Sequence, residues 1–81
     1  MISWDGLGMH GLSAMVTLHL NGEERKFDEP LTVAKLLLEL DLARGSIAVE
    51  VNRSIVPRST HETHALREGD QVEIVTFVGG G

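Results

Sequence analysis

Few residues in this chain of 81 have the types and spacing that chemistry requires. His61 and His64 stand three apart, so on a helix their imidazoles would share a face and could ligate one metal ion. A four-ligand site would need more, and the sequence offers only Glu62 and Glu68 nearby, with His19 distant along the chain. Surface loop histidines are the better account, and no metal site is assigned. Ser46, Ser54 and Ser59 lack the strand-turn-helix setting of a nucleophilic serine, and no phosphate-binding glycine loop precedes a helix. No enzyme active site emerges, and no catalytic residue is assigned. What remains is the end of the chain, "VEIVTFVGGG", which closes on Gly79, Gly80 and Gly81. A run without Cβ atoms makes a slender thread that can enter a narrow channel and present its carboxylate. Taken alone, it reads equally well as a frayed terminus.

Composition narrows the chemistry further. There is no cysteine, which removes disulfides, thiolate metal sites and cysteine nucleophiles together. The formal charge of −5 is the wrong sign for neutralising phosphates, so no nucleic-acid partner is expected and a basic protein surface fits better. No apolar run approaches the roughly 20 residues that span a bilayer, so no membrane association is expected. Hydrophobic residues at 42% and charged residues at 23% are an ordinary globular balance for a single small domain. With Trp4, Phe27 and Phe77 as the aromatics, the core must be built from Leu, Ile and Val.

The chain divides at Met15. Residues 1–14, "MISWDGLGMHGLSA", have neither the basic start nor the continuous apolar stretch of a signal peptide. They read as a flexible leader, a cloning remnant or an upstream start-site extension, with no function assigned. Residues 15–81 read as the domain.

Periodicity supplies the elements that would position the tail. Val16, Leu18 and Leu20 alternate with Thr17 and His19, a half-buried strand, and Asn21-Gly22 suits a two-residue type I′ hairpin. The return strand, Glu23 to Phe27, is charged enough to guard a sheet edge. After Pro30, Thr32 is a plausible N-cap for a helix with Val33, Leu36, Leu37 and Leu40 on one face and Gly45 as its stop. Leu31 could staple to Leu36, whereas Lys35 stands where a capping box would want Glu. Ile47, Val49 and Val51 then mark a strand, and a turn at "NRS" leads to the edge run Ile55-Val56, ended by Pro57. Arg58 to Arg67 reads as a polar loop anchored by Leu66, and Glu68-Gly69-Asp70 turns into a final strand from Gln71 to Val78.

One helix stripe covers one face of one sheet, an α+β fold of two layers. On the last strand Val72, Ile74, Thr76 and Val78 share one face, while Gln71, Glu73, Val75 and Phe77 share the other. If the helix covers the first face, Val75 and Phe77 form an exposed apolar spot at the root of the tail. Leu38 lies off the helix stripe and reads as the flank of its apolar face.

The order of elements resembles the β-grasp, or ubiquitin-like, fold, and "LNG" at 20–22, "VNRSIVPR" at 51–58 and "EGDQVEIVTFVGGG" at 68–81 resemble the ThiS-type sulfur carriers of thiamine biosynthesis. These are relatives of the molybdopterin synthase small subunit, and the middle motif favours the thiamine branch. The resemblance spans Met15 to Gly81. It departs in the loop after Pro57-Arg58, where Ser59, Thr60 and His61 stand in place of the aromatic common in the family.

The resemblance implies a mixed sheet with the first and last strands parallel at its middle and one helix across one face. It also implies a carrier that is not itself an enzyme. The carboxylate of Gly81 would be adenylated with ATP by a ThiF-type partner, and sulfur from a persulfide protein would displace AMP to leave a thiocarboxylate. A ThiG-type thiazole synthase would then accept the sulfur. On this view Gly79 and Gly80 enter the partner's active site, Val75 and Phe77 contact the partner, no cofactor is permanently held, and the setting is cytoplasmic. A molybdopterin carrier, a ubiquitin-like modifier and a β-grasp binding module without tail chemistry are the other readings.

Overall fold

The computed structural model describes residues 14–77. The leader's residues 1–13, and Val78, Gly79, Gly80 and Gly81, lie outside the described residues.

Strand β1 (Met15–Leu20) buries Val16, Leu18 and Leu20, as its alternation predicts. Asn21 and Gly22 both take positive φ, 49° and 85°, the pair a type I′ turn demands. That turn sets β2 (Glu23–Asp28) antiparallel to β1 in the register Leu20↔Glu23 through Met15↔Asp28. Ala14, assigned to the leader, is tied in, its carbonyl accepting from Glu29 N at 3.0 Å.

Helix α1 (Val33–Glu39) buries Val33, Leu36 and Leu37 against the sheet. Its first three N–H groups all find acceptors. Val33 N donates to His64 O at 3.0 Å, Ala34 N to His61 O at 2.8 Å, and Lys35 N to the Thr32 hydroxyl at 3.2 Å. The stop differs from the expected one. The helix ends at Leu40 rather than near Gly45, because Asp41 takes the left-handed conformation at φ 60°. Leu42 N then donates to Leu37 O and Asp41 N to Leu38 O, the two bonds of a Schellman cap. Leu42 packs against the core beside this cap. An aspartate can occupy αL because its short side chain is tolerated there, so the chain closes the helix before a glycine is needed.

Strand β3 (Ile47–Val51) and the two-residue β4 (Ser54–Ile55) are joined by Asn52 and Arg53, again both at positive φ. A short 3-10 helix at Arg58–Thr60 replaces part of the expected loop. Leu66 is buried, and its N–H donates to Leu31 O at 2.8 Å, the anchoring expected of it. Strand β5 (Gln71–Thr76) ends two residues before the predicted limit, and Phe77 is still held by its N–H to Ser46 O at 2.9 Å.

The five strands lie in the order β2-β1-β5-β3-β4, with β1 and β5 parallel at the centre and the other pairs antiparallel. This is the β-grasp arrangement that the resemblance implies. Val16, Leu18, Val33, Leu36, Val49 and Val72 are the most deeply buried side chains, so the core lies between α1 and one face of the sheet. It is aliphatic, as the scarcity of aromatics requires. Phe27 is the one aromatic within it among the described residues.

Candidate functional site

The site is built at the carboxyl end of β5. Pairing with β3 runs Val51↔Val72, Val49↔Ile74 and Ile47↔Thr76, so the last strand is held along its length before the chain leaves the described residues. Two turn asparagines fasten it further. Asn52 donates from Nδ2 to Asp70 Oδ1 at 2.9 Å and accepts from Gln71 N at 2.9 Å, which pins the start of β5. Asn21 accepts from Ile74 N at 2.8 Å and donates to Ile74 O at 3.3 Å, which pins its middle. Each asparagine serves both its own turn and the strand from which the tail departs.

The face of β5 turned away from α1 carries Gln71, Glu73 and Val75, with Phe77 continuing the alternation. Val75 is 53% exposed and Phe77 62%, so the apolar spot expected at the root of the tail is present. It is wider than expected. Ala48 stands opposite Val75, and Ile55, 63% exposed, stands opposite Glu50 on the same face. The sequence signal for Ile55 is the Asn52-Arg53 turn: a two-residue hairpin fixes Ile55 across from Glu50 and so determines its face.

Acidic groups flank this patch. Glu50 and Glu73 face each other in register Glu50↔Glu73, a like-charge cross-strand pair that costs up to about 1 kcal/mol relative to neutral neighbours. The placement therefore works against stability. Glu73→Gln is expected to raise stability by a few tenths of a kcal/mol in urea unfolding. The same change should slow association with a basic partner at low salt, as stopped-flow mixing would show.

The other sequence candidates take structural roles. His61 is not a surface histidine. It is buried, its Nε2–H donates to Val56 O at 3.0 Å, and its carbonyl caps α1. The need to supply acceptors to the helix N-terminus draws this loop inward, which local polarity does not reveal. His64 is half-buried and caps Val33 by its carbonyl. Among the described residues no group of three or more His, Cys, Asp or Glu could hold a metal ion. Leu38 is 70% exposed, at the rim of a groove of about 270 Å³ between α1 and the Arg58–Thr60 turn. No helix among the described residues is long and apolar enough to cross a membrane.

Comparison with known proteins places this geometry. The model of the ThiS family matches residues 18–81, which includes the patch and the glycine tail. A thiazole synthase of Paramagnetospirillum magneticum is 48% identical over 64 residues, a match covering 79% of this chain and 20% of that protein. The chain therefore spans only a fifth of that relative's length. The sulfur carrier protein ThiS of Bacillus subtilis is 35% identical over 65 residues, covering 79% of this chain and 98% of its own. A crystal structure of a thiamine biosynthesis protein (ThiS) from Geobacter metallireducens superposes with a TM-score of 0.69 at 33% identity, over 82% of this chain and all of that one.

Proposed function

The chain belongs to the ThiS family, and on that premise we propose that its Gly81 carboxylate is the reactive group of a sulfur carrier in thiamine biosynthesis. The single observation that carries the reading is a central strand, β5, paired with β1 at its start and with β3 along its length, and followed in sequence by the glycine tail. Such a strand gives the tail a rigid root, and the glycines give it a cross-section that fits a channel.

The chemistry follows from the carboxylate. A free carboxylate resists nucleophiles, so a Gly81 oxygen first attacks the α-phosphorus of ATP on a ThiF-type partner and pyrophosphate leaves. The terminal sulfur of a persulfide then attacks the acyl carbon and AMP departs with the bonding electrons. A second thiol cleaves the S–S bond and frees the thiocarboxylate. Thiazole synthase consumes that sulfur and the carboxylate returns. The relatives named thiazole synthase, which contain a segment like this chain, support that acceptor. ATP and the catalytic groups belong to the partners; this chain is a co-substrate. With no cysteine anywhere in it, no internal thiol competes for the persulfide or attacks the activated acyl group.

Val75, Phe77 and Ile55 supply the apolar part of the partner contact, and Glu50 and Glu73 supply its charge. Gly79 and Gly80 enter the partner's active site. The thiamine branch is tested by complementation. The gene should restore growth without thiamine to a strain lacking its own carrier and should leave a strain deficient in molybdenum cofactor unrescued. The opposite pattern would move the chain to the molybdopterin branch.

A further inference from the structure

The sheet protects its two outer edges and, among the described residues, leaves part of an inner one unpaired. On the outside, β2 presents Glu23, Glu24, Arg25 and Lys26, all exposed, and such charges discourage pairing with another strand. At the other limit β4 is two residues long and is soon followed by Pro57. Strand β5 lies inside the sheet, but β1 accompanies it only as far as Leu20↔Val72. Beyond that point the Asn21 side chain stands in for a strand, satisfying both the N–H and the carbonyl of Ile74.

Thr76 is the next residue whose backbone turns the same way. Gln71 and Phe77 direct their backbone groups toward β3, since Gln71 O accepts from Asn52 N and Phe77 N donates to Ser46 O. Val72 and Ile74 direct theirs toward the β1 side, where Val72 O accepts from Asn21 N. By this alternation the N–H and carbonyl of Thr76 also face the β1 side, and no described residue there pairs with them. The stretch Val75-Thr76-Phe77 is β-branched and aromatic, with no charge and no proline. It is the kind of edge that readily templates a further strand.

We propose that this inner edge of β5 is a strand-docking site, and that its occupant is an extended segment of the adenylating partner that takes up the tail. The segment continues the line of β1 past Asn21 and pairs with the backbone of Thr76. The proposal rests on the carrier reading above. In sequence only Phe77 and Val78 separate Thr76 from the glycines, so a protein that holds the glycines comes within reach of this edge. What the edge offers is a backbone donor and acceptor, which another main chain matches with little demand on sequence. Exposed Val75 and Phe77 lie beside it and give the added strand apolar contacts on one face.

The test is residue-resolved amide exchange on the full chain, alone and with a thiamine-pathway adenylating enzyme and ATP. The Thr76 amide should exchange at least tenfold more slowly in the complex. Thr76→Pro removes the outward donor and spares the ladder to β3, because Ile47↔Thr76 exchanges no hydrogen bonds in this register. This variant should stay folded and show a KM for the carrier raised about tenfold, with kcat little changed. Should it fail to fold, the exchange measurement on the unaltered chain still decides. Unchanged Thr76 exchange in a complex that produces the thiocarboxylate overturns strand docking and leaves the carrier reading intact. Failure of the unaltered chain to acquire sulfur, from an enzyme active on another carrier, overturns both.

Discussion

Removing Gly81 should abolish sulfur loading and leave the fold unaffected. The expected result is complete loss of thiocarboxylate formation, because the shortened chain presents its carboxylate one residue early. A residue extended spans about 3.3 Å, and misplacement of a reacting atom by even 1 Å can cost about a hundredfold in rate. The core of the described residues is complete without it. β5 is fixed by its register with β3, by the Asn21 and Asn52 side chains and by Phe77 N to Ser46 O, all upstream of the glycines. Circular dichroism and the urea midpoint of the truncated chain should therefore match those of the full one. A large drop in the midpoint would contradict the assignment of Gly81 to chemistry rather than to packing.

The second large effect has the opposite character. Leu36→Ala is expected to cost about 2–5 kcal/mol, because Leu36 is fully buried between α1 and the sheet and its loss leaves a cavity. A domain of this length is stabilised by about 4–12 kcal/mol in total, so this one change removes a large share of it. Urea unfolding measures it directly. Loading should fall only in proportion to the folded fraction and should recover on cooling the protein toward its stability maximum. Loss of loading in a fully folded Leu36→Ala chain would mean that the helix face takes part in the partner contact. The two variants together separate fold from function: one loses chemistry with the fold intact, the other loses fold with the chemistry intact.

Local signals make much of the fold legible. The alternation Val16-Leu18-Leu20 fixes the buried face of β1, and Asn21-Gly22 fixes the hairpin, because few dipeptides accept positive φ twice. The helix stripe locates Val33, Leu36 and Leu37 in the core. Its stop is harder to read, since aspartate in αL is permitted but not signalled, and the nearby Gly45 is the stronger local signal. The burial of His61 escapes local reading for a related reason. It follows from capping a helix whose start, Val33, lies 28 positions earlier in sequence, a relation periodicity does not encode. The parallel pairing of β1 with β5 is equally non-local and comes from family resemblance, not from pattern.

The site is legible in part. Alternation along β5 is enough to place Val75 and Phe77 on the open face, where both are exposed. Ile55, the opposed Glu50 and Glu73, and the edge at Thr76, unpaired among the described residues, depend on cross-strand register and on where β1 stops. Those are properties of pairs of strands. A single strand's sequence does not contain them.

The central claim concerns one carboxylate, and intact-mass spectrometry addresses it most directly. The purified chain is incubated with a thiamine-pathway adenylating enzyme, ATP and a persulfide source, then weighed whole and as peptides. The account predicts replacement of one oxygen by sulfur, confined to the peptide ending in Gly81 and dependent on ATP. An unchanged mass, with the same enzyme shown to load another carrier in parallel, would contradict it.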